Sequence, residues 1–370
     1  MKILPRKTNP RYYSLDKIMK IGALYNVIYG QRSNGKTFAV IDMFLKHYID
    51  TGVPSAYIRR LDSELVPKEL ETLTTPHIEN ITKWTKGKYN TIIYRSRKFF
   101  LAFYDNEHDS YIIDEKPAIY CFALNTSIKS KGADRGKIAY TLFDEFLTRQ
   151  FYLANEFVTY CEVLSTLMRD RDGTIHFLVG NSVNRYCPYF AEMGLSNISK
   201  QKQGTIDVYT YGTDNDKNKI AVEYCSQSKN TKSIEKYFAF DNPQLNMIFN
   251  GDWEIANYPH APESIRHSDS IYKAFVKFDR ETLCINVIDK NGIYLFVTPW
   301  TTETPENALT YVETCTGNPF HCIFPGKTKM KVDKLINQLI INRKVFFSDN
   351  ATGEIYNNWI KYLVSKKAYV

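Results

Sequence analysis

Eight consecutive residues carry the strongest chemical signal in this 370-residue chain: Gly30-Gln31-Arg32-Ser33-Asn34-Gly35-Lys36-Thr37. They match G-x-x-x-x-G-K-[ST]. Glycines let a backbone wrap phosphate oxygens with its N–H groups at a helix N-terminus. Lys36 adds a point charge for β- and γ-phosphates, and Thr37 offers a hydroxyl to Mg²⁺. The spacing predicts a phosphate-binding loop for ATP. Downstream, Ile138-Ala139-Tyr140-Thr141-Leu142-Phe143-Asp144-Glu145 reads as a buried strand ending in two carboxylates at the C-terminal edge of a sheet, beside the loop. Asp144 would complete the Mg²⁺ shell, and Glu145 would orient and deprotonate the attacking water. Alone, an Asp-Glu pair equally suits an ordinary helix N-terminus; the loop upstream turns the reading towards hydrolysis.

Other residues carry weaker signals. Asn181, at the end of the next strand, suits contact with the γ-phosphate or the lytic water, and equally a plain turn. Arg169 and Arg171 follow a long helix; an arginine there can reach a neighbouring subunit's nucleotide, or simply complement the helix dipole. Arg32 could touch phosphates within its own loop. Arg59 and Arg60 could contact DNA phosphates or face water.

The elements needed to position these residues are legible. Residues 23–29 form a short β-rich run before the loop. Phe38, Ile41, Phe44, Leu45, Tyr48 and Ile49 then recur at helical spacing until Gly52 and Pro54. A strand over 55–59 completes a βαβ start. Residues 91–94, 98–104 and 118–124 read as strands of an antiparallel insertion. A helix over 151–168 and a strand over 174–179 follow. Polar residues 198–232 suggest a linker or lid. Beyond them, strands over 271–278, 282–288 and 292–298, a helix near 332–342, a strand over 344–348 and a helix over 353–364 give the order β-β-β-α-β-α of a ribonuclease-H-like domain. The expected architecture is α/β: an ATPase domain over 1–197, a lid or linker over 198–232 and a C-terminal domain over 233–370.

Composition narrows the partners. Net charge is +8, with nine basic residues against three acids from Lys327 to Val370. That imbalance favours an anionic partner such as nucleic acid, or is a solvated surface. Seven scattered cysteines suggest neither a disulfide framework nor a zinc site. No apolar run is long enough for a membrane span, and the first residues lack a signal-peptide core, so a cytoplasmic protein is expected.

In order, Gly-x-Arg-x-x-Gly-Lys-Thr, Tyr57-Ile58-Arg59-Arg60, Phe143-Asp144-Glu145-Phe146, Arg169-x-Arg171, Gly180-Asn181 and Pro188-Tyr189-Phe190 resemble the DNA-packaging ATPases (encapsidation proteins) of phi-29-like tailed phages. The resemblance runs over roughly residues 12–190. It implies a terminase-like ring motor of the additional-strand, catalytic-Glu (ASCE) class, usually pentameric. Such a ring pumps double-stranded DNA through the portal of a procapsid at the expense of ATP and Mg²⁺, with a packaging RNA in some members. It implies Arg169 as a finger acting across the subunit interface and Lys131 as a basic residue acting in trans. A family lysine after the paired arginines is Asp62 here. It further implies a C-terminal domain that has lost nuclease chemistry; the first strand of that domain carries only Asp279, in a turn. Action would be transient, at the portal vertex in the host cytoplasm, without incorporation into the mature virion. From the residues alone, a single-strand helicase or recombination ATPase and a nucleotide-dependent switch remain as alternatives.

Overall fold

The sequence around the loop folds as strand β1 (Tyr25–Gly30), helix α2 (Lys36–Thr51) and strand β2 (Ser55–Arg59), after a short α1 (Asp16–Met19). The computed structural model describes residues 12–126, 136–148, 152–153, 155–169, 172–184, 186–212, 218–226, 258–261, 265, 269–314 and 316–367. The chain divides into two compact units, Met1–Glu254 and Ile255–Val370.

Helices α3 (Pro67–Thr74) and α4 (Ile78–Trp84) follow β2, then β3 (Thr91–Arg95), β4 (Lys98–Asp105), β5 (Ser110–Ile113), β6 (Ile119–Ala123) and β7 (Tyr140–Asp144). Next come α5 (Glu156–Met168), β8 (Ile175–Asn181), α6 (Pro188–Glu192), β9 (Ile206–Tyr211) and β10 (Asn218–Tyr224). Among the described residues these strands make one ten-stranded sheet in the order β3-β4-β6-β2-β7-β8-β1-β10-β9, with β5 on β4. From β6 to β10 every neighbour is parallel.

One expectation is corrected here, and another region gains detail. The strand over 118–124 is not part of the antiparallel insertion alone, because β6 pairs in parallel with β2 and extends the core. Within the linker or lid expected over 198–232, two stretches are strands of the first sheet. β10 lies in register against β1, and β9 closes that edge antiparallel to β10. The polar loops around this hairpin hid the buried run Ile220–Tyr224.

Helices cover both faces, as a buried parallel sheet requires. On one face α2 packs Val40, Ile41, Phe44 and Leu45 against Tyr57, Leu142 and Phe177. At about 1.5–3 kcal/mol per fully buried large side chain, this contact outweighs intrinsic helix propensity. Phe38 shares the helical spacing but is 39% exposed. On the other face α5 packs Tyr160, Val163, Leu164 and Leu167 against Ile58, Phe143 and Leu178. No helix among the described residues is long and apolar enough to cross a membrane.

His176 sits within β8. Its Nδ1 meets Thr141 Oγ1 at 2.9 Å, and its Nε2 is buried without a hydrogen-bond partner. Burial pulls the imidazole down from 6.5 to about 4. Between these values the unfolded chain binds a proton that the folded chain does not. The contribution is therefore complete above pH 6.5 and is lost as pH falls through the window, by roughly 3 kcal/mol at its foot. Denaturant midpoints at about pH 7.5 and about pH 4.5 should show this acid loss. It should shrink in His176→Gln; an unchanged loss would assign it to other groups.

In the second unit the three expected strands are β11 (Ser270–Phe278), β12 (Glu281–Asp289) and β13 (Ile293–Pro299), and they pair antiparallel in that order. Two short strands that periodicity could not reveal follow: β14 (Thr310–Val312), parallel to β11, and β15 (His321–Cys322), parallel to β14. Helix α7 (Lys331–Ile341) leads to β16 (Val345–Phe347), which pairs in parallel with β13, and α8 (Asn350–Lys367) ends the described chain. The observed order is thus β-β-β-β-β-α-β-α.

Candidate functional site

The C-terminal ends of β1, β2, β7 and β8 converge on one edge of the first sheet. The loop after β1 needs its glycines. Gly30 (φ 145°) and Gly35 (φ 88°) occupy backbone conformations that favour glycine. A Cβ on Gly30 would also stand 3.1 Å from Cys225 Cβ. Arg32 and Ser33 form the exposed tip, while Gln31 and Asn34 are buried. Asn34 Oδ1 accepts from the Lys36 backbone N–H at 3.3 Å.

Lys36 is 4% exposed. Its ammonium donates to the Gln31 carbonyl (2.5 Å), Asn181 Oδ1 (3.3 Å) and the Gly30 carbonyl (3.5 Å). These are neutral acceptors, so burial pulls its pKa down to about 8. A polyphosphate beside it would restore the charged form. Thr37 Oγ1 donates to Asp144 Oδ1 at 2.8 Å. A hydroxyl and a carboxylate meeting beside a glycine-bounded loop are oxygen ligands of the kind Mg²⁺ takes, so the residues present fit that ion.

Alternation along β2 decides what surrounds the acids. Tyr57 and Arg59 point to the face that carries the loop. Tyr57 donates to Asp144 Oδ2 at 3.0 Å, and Arg59 Nη1 lies 3.7 Å from the same atom. Burial raises the Asp144 carboxyl, while Arg59, Thr37 and Tyr57 pull in the opposite direction. Arg59 Nη2 also donates to Glu145 Oε2 at 2.8 Å and to Glu64 Oε1 at 3.3 Å.

Ile58 and Arg60 point to the opposite face. Arg60 is 6% exposed, which removes it from the candidate DNA contacts. Its Nε donates to Glu156 Oε2 (2.8 Å), and its two Nη atoms donate to the carbonyls of Glu145 (3.1 Å) and Phe146 (2.7 Å). Glu156 also accepts from the Leu153 backbone N–H and from the Tyr189 hydroxyl. Arg60 thus clamps the turn that presents Glu145, whose own backbone is left-handed (φ 57°). The two arginines differ in magnitude. The Arg59–Glu145 pair, with Glu145 55% exposed, is worth about 1 kcal/mol or less, so Glu145 can leave it. Breaking the buried Arg60–Glu156 pair from one side costs about 3–5 kcal/mol, so that pair is scaffold.

The edge therefore brings together Lys36, Thr37, Asp144, Glu145 and Asn181. Arg169 stands exposed at the C-terminal cap of α5 (φ 36°). Lys131 and Arg171 lie outside the described residues. Glu64 and Glu156 escaped sequence reasoning, and Tyr57 entered it only as part of the Tyr57-Ile58-Arg59-Arg60 motif, although a period of two along β2 separates Tyr57 and Arg59 from Arg60.

A mixed α/β protein with a large, mostly parallel sheet, carrying a glycine-bounded loop and two carboxylates at one sheet edge, is the class defined so far. The sequence profile of the Podovirus DNA encapsidation protein (Gp16) family matches residues 8–337, and the chain belongs to that family. The DNA packaging proteins of Bacillus phages phi29 and PZA are each 21% identical to it over 182 residues, 48% of this chain and 49% of each relative. The chain thus spans about half the length of the curated relatives it matches. Two solved structures share its fold. The bacteriophage Phi-29 viral genome packaging motor assembly has a TM-score of 0.53 at 17% identity, covering 95% of this chain and 99% of that one. The Phi-28 gp11 DNA packaging motor has a TM-score of 0.52 at 17% identity, covering 96% and 98%.

Proposed function

We propose that this chain is an Mg²⁺-dependent ATPase that moves viral double-stranded DNA through a portal into a procapsid. The observation that carries the reading is the meeting of Lys36, Thr37, Asp144 and Glu145 at one sheet edge in a member of an encapsidation family. The loop backbone and Lys36 bind the β- and γ-phosphates. Thr37 and Asp144 would hold the Mg²⁺, which would supply neutralising charge for the phosphates. Glu145, once released from Arg59, orients the lytic water and takes its proton. Asn181, hydrogen-bonded to Lys36, would contact the γ-phosphate or the lytic water. Arg169 completes the site of a neighbouring subunit in a homo-oligomeric, pentameric ring.

The finer fold reading is consistent with this. β8 lies between the loop strand β1 and the acid strand β7, as the additional strand of the ASCE class would. The second unit reads as ribonuclease-H-like, with three antiparallel strands followed by strands added in parallel beside the first. We assign it no nuclease activity, since β11 carries no acid within the strand. Lys327, Lys329, Lys331 and Lys334 are exposed before and along the start of α7, and Arg343 and Lys344 just beyond its end. They suit phosphate contacts with DNA or a packaging RNA, whereas Lys361, 9% exposed, does not. The ring would act transiently at the portal vertex in the host cytoplasm.

Such contacts are sequence-tolerant and salt-sensitive. Double-stranded DNA should stimulate ATP hydrolysis, and the DNA concentration for half-stimulation should rise steeply with salt. Stimulation that is indifferent to salt, or confined to single strands, would contradict this function.

A further inference from the structure

Two partly exposed aromatic rings stand beside the loop, outside the two apolar cores. Tyr12 is 59% exposed and Phe38 is 39% exposed. Phe38 follows Thr37 directly and has the spacing of the apolar residues on α2, yet it leaves the core face. One side of its ring stacks on His77, with centroids 4.2 Å apart and planes tilted by 15°. His77 is fully buried, and its Nδ1 lies 3.2 Å from Asp42 Oδ1, which also accepts from Asn80 Nδ2 at 3.0 Å. The Phe38 ring is therefore backed and positioned rather than left to rotate freely.

Tyr12 is fixed differently. A Cβ added to Gly35 would lie 3.5 Å from both Cβ and Cδ1 of Tyr12, so this side chain rests against the Gly35 α-carbon. The next residue ties its segment down on both sides. The Tyr13 backbone N–H donates to the Asn34 carbonyl at 2.8 Å, and the Tyr13 hydroxyl donates to Glu223 Oε2 at 2.7 Å. Gly35 and Phe38 are three residues apart at the start of α2, a spacing that brings them to neighbouring positions on the helix surface. Both rings thus border the same end of α2, where the loop's N–H groups lie. Each ring has one side backed by the protein and keeps part of its surface open to water, and planar bases stack on such faces.

We propose that Tyr12 and Phe38 form the seat of the nucleobase, with His77 as the residue that positions Phe38. The inference rests on the reading of Gly30–Thr37 as a phosphate loop and adds a part of the ligand that the loop itself does not touch. Stacking recognises the base by its π-face, so the seat contributes to nucleosides and not to bare phosphate chains.

Calorimetric titration of the full chain with ADP and with inorganic pyrophosphate, both with Mg²⁺, tests this. Wild type should bind ADP more tightly than pyrophosphate. Phe38→Ala and Tyr12→Ala should each weaken ADP about tenfold and leave pyrophosphate unchanged, while Phe38→Tyr should keep ADP affinity. ADP affinity within about twofold of wild type in both alanine variants would overturn the seat. Equal losses for both ligands would also overturn it, by assigning the rings to support of the loop. Wild type that binds pyrophosphate and ADP equally would remove the seat and leave the phosphate reading standing. Wild type that binds neither would remove both.

Discussion

Glu145→Gln should keep ATP binding and lower turnover by about 10²–10⁴-fold, the range expected for loss of a general base. The geometry makes this substitution clean. Glu145 follows the last residue of β7, in a turn whose carbonyls are held by the buried Arg60. Gln has the same shape and can still accept from Arg59, so the turn should survive. What it loses is the ability to take a proton. The lost ion pair is worth about 1 kcal/mol or less, too little to account for a hundredfold effect. Phosphate release under saturating ATP, beside nucleotide affinity measured by calorimetry, separates the two properties. Normal turnover would move the base elsewhere; lost binding would make Glu145 a structural residue.

Arg169→Ala should lower turnover further, by about 10³–10⁵-fold, if its guanidinium stabilises charge at a neighbour's γ-phosphate. Arg169 is exposed at the end of α5, and its backbone N–H closes the helix onto the Ser165 carbonyl. That makes it a charge on a rigid mount. The loss should not come with a loss of stability, because no core packing is removed. Mixing Arg169→Ala chains with Glu145→Gln chains gives the sharper readout. Each variant alone should be inactive, and a mixed ring would contain interfaces where an intact Glu145 meets an intact Arg169. Activity regained on mixing supports a shared site, and a mixture as inactive as its components assigns Arg169 to its own subunit or to structure.

Local motifs were legible in the sequence because their physics is local. The glycine spacing of the loop, the apolar run into Asp144-Glu145 and the helical period of α2 each follow from a few adjacent residues. The ends of β1, β7 and β8 then meet because parallel strands align their C-terminal edges. What was not legible depended on partners distant in sequence. β6 reads as one more strand of a hairpin series until its register on β2 is known. All four residues of β5 are exposed, so no alternation marks them. β14 and β15 are too short to show a period. In the second unit, the strand expected to come fourth lies at the edge beside β13, while β14 takes the place beside β11.

The paired arginines show the same limit within the site. Both were candidate DNA contacts. Alternation sends Arg59 to Asp144 and Glu145, and Arg60 into a buried network with Glu156 and Tyr189. Glu156, a residue with no motif of its own, supplies the charge that lets Arg60 be buried, beside the carbonyls of Glu145 and Phe146. Phe38 is the converse case: helical spacing placed it on the core face, but it stacks on His77 and stays 39% exposed.

The most direct test of the central claim is a packaging reaction. Procapsids bearing their portal, genomic DNA, the full chain, any required packaging RNA and ATP would be combined and then treated with nuclease. Protected DNA of genome length should accumulate with ATP and Mg²⁺, and should be absent with Glu145→Gln chains. Sustained ATP hydrolysis in the same mixture without any DNA becoming protected would contradict a DNA-translocating motor.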